Sequence, residues 1–161
     1  MKVLANDGIS KSGIKALEKG GFEVITTKVA QEQVANYINA NDVSVLLVRS
    51  ATKVRKDIID ACPGLKIIGR GGVGMDNIDV AYARSKGVHV INTPASSSES
   101  VAELVFAHLF TGVRFLHDSN RNMPLEGDSN FEGLKKAYAN GIELRGKTLG
   151  IIGFGRIGQA V

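Results

Sequence analysis

One cysteine, no tryptophan and three prolines stand in a chain of 161 residues, and these scarcities exclude whole classes of protein. A single thiol, Cys62, cannot close an internal disulfide, so the chain is no disulfide-stapled scaffold and fits a reducing compartment. Cys62 precedes Pro63 in a turn without a nearby histidine, the setting of an inert structural thiol rather than a nucleophile. No apolar run approaches the ~18 residues of a membrane span, and no charged-then-apolar leader opens the chain. The expectation is a cytoplasmic protein with no membrane partner. Lys and Arg outnumber Asp and Glu by 20 to 16, but they are spread without a basic block. That balance reads as solvated surface and argues against a nucleic-acid footprint. There is no internal repeat and no metal-ligand spacing, so no metal is expected.

What the chain does have is glycine, 19 residues of it, and the most informative group lies at the end. Lys147-Thr148 leads into the apolar run Leu149 to Ile152, followed by Gly153, Gly155 and Gly158 at G-x-G-x-x-G spacing and by helix-compatible Gln159-Ala160-Val161. At this glycine content the bare spacing arises by chance roughly 0.26 times per chain, so the context has to carry it. An apolar strand, a tight glycine turn and a helix start form the opening of a dinucleotide-binding unit, with the helix amides turned toward an anion. Only three residues follow Gly158, too few for the second strand and the acidic ribose contact expected about 20 positions on. The reading is of a Rossmann unit that begins here and does not finish.

Upstream, short apolar runs alternate with amphipathic stretches. Strands are predicted over 2–5, 22–25, 43–48, 65–68 and 88–91. Helices are predicted after Ser10 as cap, around 31–39, over 56–61, and from Asp76 or Asn77 to about Lys86. Val43 to Val48 is nearly continuous in apolar residues, as in a parallel strand buried on both faces. This order predicts an α/β doubly wound parallel sheet.

Ligands of such sheets bind beyond the carboxyl ends of the strands, and two of those ends are chemically loaded. After Val48 come Arg49, Ser50 and Thr52; an arginine leaving a buried strand can fork onto a carboxylate or phosphate. Lys53, Arg55 and Lys56 behind it read as solvated charges. After Ile68, Gly69-Arg70-Gly71-Gly72-Val73-Gly74 can converge its amides into an anion-binding nest or make a plain tight turn. The loop 93–98 looks like a domain boundary. Beyond it Ser100 and Glu103 form a capping box for a strongly apolar helix to about His117, and residues 118–145 read as polar and irregular with one short helix near 131–138. His108 within the long helix, and His89 and His117, show no carboxylate partner in sequence and read as structural.

Four motifs together, Arg49-Ser50-x-Thr52, Gly69-Arg70-x-Gly72-Val73-Gly74-x-Asp76-Asn77-Ile78-Asp79, Ser100-Val101-Ala102-Glu103-Leu104 and Leu144 through Gly158, resemble those of the D-isomer-specific 2-hydroxyacid dehydrogenases in order and spacing. The resemblance implies a flavodoxin-like substrate-binding domain over 1–98 and, over 99–161, the truncated start of a Rossmann NAD-binding domain. It implies that Arg49 and Ser50 hold substrate acid groups and that Gly72, Val73 and Gly74 take the carboxylate, with Val73 near the nicotinamide. Gly153, Gly155, Arg156, Ile157 and Gly158 match the turn that binds the NAD pyrophosphate. The family's catalytic histidine, its carboxylate and its polarising arginine lie downstream of that turn, so no catalytic residue is expected in this chain, which should be inactive alone. The Arg49 loop favours a small phosphorylated 2-hydroxy acid. Glyoxylate or hydroxypyruvate reduction and a non-enzymatic, NAD-sensing corepressor role are the alternatives. A homodimer or higher homo-oligomer is implied as well.

Overall fold

The computed structural model describes every residue from Met1 to Val161. It divides into two compact units, Met1–Ser96 and Ser97–Val161.

In the first unit, β1 (Lys2–Ala5), β2 (Glu23–Ile25), β3 (Val43–Val48), β4 (Ile67–Arg70) and β5 (His89–Asn92) form one parallel sheet in the order β2-β1-β3-β4-β5. The helices α1 (Lys11–Lys19), α2 (Val34–Ala40), α3 (Lys56–Ala61) and α4 (Val80–Ser85) connect them, with a 3₁₀ turn at Gln31–Gln33 before α2. Leu4, Leu46 and Ile68 on three adjacent strands are fully buried, and Ile38, Val54, Ile58 and Ile78 pack onto the same core. Ser10 caps α1 by accepting from the Gly13 amide at 3.1 Å. The predicted α/β parallel sheet is present, with β4 and β5 lying one or two residues later than the apolar runs suggested.

The predicted helix cap at Asp76 or Asn77 is not made. α4 starts only after Asp79, and the Asn77 side chain instead donates to the carbonyls of Arg49 and Thr52 at 2.8 and 2.7 Å.

The second unit is helical: α5 (Ser98–Val113), α6 (Leu116–Tyr138) and α7 (Arg156–Ala160). Four expectations fail in it. The capping box of Ser100 and Glu103 does not form: α5 begins at Ser98 and its N-cap residue, Ser97, makes no side-chain bond. α5 also ends at Val113, short of His117. Phe115 takes a left-handed φ of 55° and starts a new helix, its ring 6.0 Å from that of Tyr138. Residues 118–138 are helical rather than irregular. Asn130 breaks the helical geometry with φ −134°, so that the predicted helix near 131–138 is the second half of a kinked pair. Finally, Leu149–Ile152 forms no strand. A strand exists through ladder bonds to a neighbour, and this unit holds no other strand to supply them.

Candidate functional site

The strand order reverses direction between β1 and β3, the place where open parallel sheets bind ligands. An open cleft of about 620 Å³ lies there, lined by Asn6, Asp7 and Gly8 after β1, Thr26 and Lys28 after β2, and Arg49, Ser50 and Ala51 after β3. Arg49 and Ser50, singled out from sequence, are exposed at its edge.

Three polar side chains clamp the Arg49–Thr52 loop. The carboxylate of Asp7 accepts from the Arg49 amide at 2.7 Å, from the Thr52 amide at 3.0 Å and from the Thr52 hydroxyl at 2.7 Å. Lys28 adds a 2.6 Å ion pair, and the Asp7 side chain is only 4% exposed. Burial alone would push this carboxyl up. The bonds from Lys28, Thr52 and Arg49 outweigh it and hold Asp7 well below the usual carboxylate range. Asn6, also buried, accepts from the Val29 amide at 2.8 Å and donates to the Val29 carbonyl and the Thr52 hydroxyl. Asn77 ties down the carbonyls of Arg49 and Thr52 from the other side. The loop backbone is thereby fixed, while the Arg49 side chain makes no ion pair.

In sequence, Asn6-Asp7-Gly8 has the composition of a plain turn at the end of a strand. The signal that could have found them is position: an acidic residue leaving the carboxyl end of a buried strand, beside the reversal of strand order.

The Gly71–Gly74 loop leaves β4, the neighbour of β3, at the same end of the sheet. A Cβ on Gly71 would lie 3.5 Å from Arg49 Cγ, so the two loops adjoin. The Gly72 carbonyl accepts from the Thr93 amide at 3.1 Å and the Val73 carbonyl from the Asn92 side chain at 2.7 Å. With both carbonyls drawn toward the end of β5, the amides of Gly72, Val73 and Gly74 meet no acceptor in the chain. Successive free amides of this kind suit a carboxylate or phosphate oxygen. Gly72 has φ 150°, a conformation closed to most side chains. Val73 is 43% exposed. Gly72, Val73 and Gly74 do not line the cleft that holds Arg49 and Ser50.

Arg55, read as a solvated charge, is paired with Asp79 at 2.9 Å and with the Asp76 carbonyl at 2.7 Å. Cys62 is buried, and burial pushes its thiol up, which agrees with an inert residue. The imidazoles of His89, His108 and His117 make no ion pair with any carboxylate.

In the second unit, Gly153 has φ 96° and Gly155 is the N-cap residue of α7, with Arg156 and Ile157 its first residues. A Cβ on Gly158 would collide with the Gly153 carbonyl. Glycine at 158 therefore permits a backbone approach that no other residue allows, and the first amides of α7 lack intrahelical partners as at any helix start. The strand that precedes it in the predicted motif is not formed.

The sequence profile described as "D-isomer specific 2-hydroxyacid dehydrogenase, catalytic domain" matches residues 3–147. A D-3-phosphoglycerate dehydrogenase of Methanocaldococcus jannaschii is 42% identical over 161 residues, all of this chain and 29% of the relative. A hydroxypyruvate reductase of Thermotoga maritima is 43% identical over 161 residues, 99% of this chain and 50% of the relative. Among solved structures, the NAD-dependent formate dehydrogenase of Staphylococcus aureus in complex with NAD superimposes with a TM-score of 0.74 at 26% identity, covering 99% of this chain and 51% of its own. The chain thus spans between three-tenths and about half of the length of these relatives.

Proposed function

The chain belongs to the D-isomer specific 2-hydroxyacid dehydrogenases, and from that premise we propose that it is the acid-binding part, with the opening of the cofactor-binding part, of an NAD-linked dehydrogenase. Its substrate in this reading is D-3-phosphoglycerate, oxidised to 3-phosphohydroxypyruvate. The observation that carries the reading is the paired arrangement at the ends of β3 and β4. The unbonded amides of Gly72, Val73 and Gly74 stand beside an arginine without an ion pair on a loop that Asn6, Asp7 and Asn77 hold rigid.

The substrate carboxylate would rest on the amides of Gly72, Val73 and Gly74, and Arg49, Ser50 and Lys28 would take the phosphate in the cleft. Charge-assisted bonds from arginine are roughly twice as strong as neutral ones, so the phosphorylated acid should win over glycerate. The amides of Gly155, Arg156 and Ile157 would hold the NAD pyrophosphate, on a turn where glycine at 158 leaves room for the Gly153 carbonyl. Bound NAD supplies the acceptor for the hydride that leaves the carbon bearing the hydroxyl. The Arg49 and Gly72–Gly74 loops carry no histidine or other general acid–base group, so the 161 residues alone should bind the acid without turning it over. Self-association through α5, where Leu104, Val105 and Phe110 are exposed, belongs to the same proposal.

Calorimetric titration of 3-phosphoglycerate and of glycerate tests this directly. The expected result is at least tenfold tighter binding of the phosphorylated acid, with the preference lost in Arg49→Gln. Equal or tighter binding of glycerate would replace it with hydroxypyruvate reduction, the second reading, which the 43% identity to the Thermotoga maritima reductase favours.

A further inference from the structure

Seven of the nine asparagines donate from their side-chain amides to an acceptor in the chain. Asn120, one of the other two, stands inside α6 and precedes Arg121. Asn140 is the other, exposed in the turn after α6 and followed by Gly141 in the chain's one Asn-Gly pair. The Gly141 amide meets no acceptor either. The next amide, of Ile142, is the one that holds this turn to α5, donating to the Val113 carbonyl at 2.9 Å. A free carboxamide thus stands next to a free backbone N–H, with no side chain on the glycine to keep them apart. The third component is charge. A Cβ on Gly141 would lie 3.1 Å from Arg114 Nε, so the guanidinium rests against Gly141, and no carboxylate pairs with it. An adjacent cation favours loss of a proton from a neighbouring group. Asp7-Gly8, a related dipeptide, has the opposite arrangement. The Asp7 carboxylate accepts four bonds and the Gly8 amide donates to the Ala5 carbonyl. An ionised carboxylate held in this way is a poor electrophile, and that pair is protected.

We propose that Asn140 is a site of spontaneous deamidation, promoted by Arg114. The Gly141 nitrogen loses its proton to hydroxide and attacks Cγ of Asn140. The new C–N bond closes a cyclic imide and the Cγ–Nδ2 bond breaks. The departing nitrogen takes a proton from water and leaves as ammonia, which restores the hydroxide. Water then opens the ring, its hydroxyl adding to a ring carbonyl carbon and its other hydrogen returning to the Gly141 nitrogen. Opening at one carbonyl gives aspartate, and at the other isoaspartate, whose main chain runs through the former side chain. Either product adds one negative charge beside Arg114. Isoaspartate also lengthens the backbone by a methylene between α6 and the glycine turn at Gly153–Gly158.

The protein, incubated at neutral and at mildly alkaline pH and digested briefly with trypsin, reads this in the peptide 137–145, which follows Lys136 and ends at Arg145. That peptide should gain the mass difference between an amide and an acid. It should also split into two chromatographic species, one of them methylated by an isoaspartyl methyltransferase. The rate should rise in proportion to hydroxide, and peptides holding the other asparagines should stay unchanged over the same time. Arg114→Gln should slow the conversion about two- to fivefold, the size of an exposed charge interaction, with Arg114→Lys in between. Gly141→Ala should slow it further, because a methyl group stands in the way of the attack. A peptide that keeps its mass in the folded protein while the urea-unfolded chain converts overturns the site. Equal rates with and without the Arg114 guanidinium overturn its promotion of the step. Conversion of a hydrogen-bonded asparagine ahead of Asn140 overturns the link between bonding and protection on which the site rests.

Discussion

The two units are built from similar residues and arrive at different kinds of interior. All buried apolar side chains except Ala102 and Leu134 belong to Met1–Ser96. There the parallel strands satisfy one another's backbone groups and place Leu4, Leu46 and Ile68 on a shared core. In Ser97–Val161, Leu104, Phe110, Leu125, Phe131, Ile152 and Phe154 are all exposed. The difference is one of partners rather than composition. An apolar strand is stable where a neighbour takes its N–H and C=O groups. Leu149–Ile152 has a strand's sequence and no neighbour, so it stays unpaired with Ile152 wholly exposed.

The largest test of this contrast lies in the core. Leu46→Ala in the middle of β3 should destabilise the first unit by about 2–5 kcal/mol, through lost burial and the cavity left behind. Leu125→Ala, at a side chain 81% exposed in the second unit, should stay within about 0.5 kcal/mol of the unsubstituted protein. Urea titration followed by circular dichroism reads both. A large loss from Leu125→Ala would show that the second unit has the interior denied to it here.

The clamp under the Arg49 loop comes next. Asp7→Asn removes the charged acceptor of four bonds and should cost about 3 kcal/mol. The pH dependence has a fixed sign. Asp7 is held below the ordinary carboxylate range in the folded state. The stability it contributes is therefore complete above a pH of about 4, where the unfolded carboxyl is ionised, and is lost as pH falls below that. Denaturation midpoints measured down the acid range should fall for the unsubstituted protein and flatten for Asp7→Asn. An unchanged acid limb would mean that some other carboxylate governs it.

Self-association is the third test. If the exposed apolar face of α5 is what joins two copies, Phe110→Glu should convert dimer to monomer in sedimentation velocity and leave the first unit's unfolding midpoint unchanged. A monomeric unsubstituted protein would remove the proposal.

These expectations also mark where sequence was enough. The run Val43–Val48 reads as a doubly buried strand because nothing polar interrupts it except Ser44, and β3 has those bounds. Lys56–Ala61 is likewise a helix over the residues expected. Arg49, Ser50 and the Gly72–Gly74 loop were legible because carboxyl ends of parallel strands are where ligands bind. Asn6, Asp7 and Asn77 were not. Each has an ordinary turn or cap meaning in its local sequence, and only the sheet brings the ends of β1 and β3 together, 42 residues apart for Asp7 and Arg49. Leu149–Ile152 misled for the converse reason: its local pattern is that of a strand, and pairing is not a local property.

Capping gives the finest test of the contrast. Ser10 at the start of α1 and Ser97 at the start of α5 are the same residue type at the same helix position, and only Ser10 accepts a backbone N–H, from Gly13. An N-cap bond of this kind contributes about 1 kcal/mol. Ser97 has extended neither its backbone nor its side chain into that role; its φ of −114° and ψ of 3° lie outside the extended region usual for a cap. Ser10→Ala should therefore lower the first unit's stability by about 1 kcal/mol, and Ser97→Ala should change almost nothing. If the two substitutions weaken the protein equally, the start of α5 is better ordered than its geometry indicates, and the contrast between the units narrows to the missing strand partner alone.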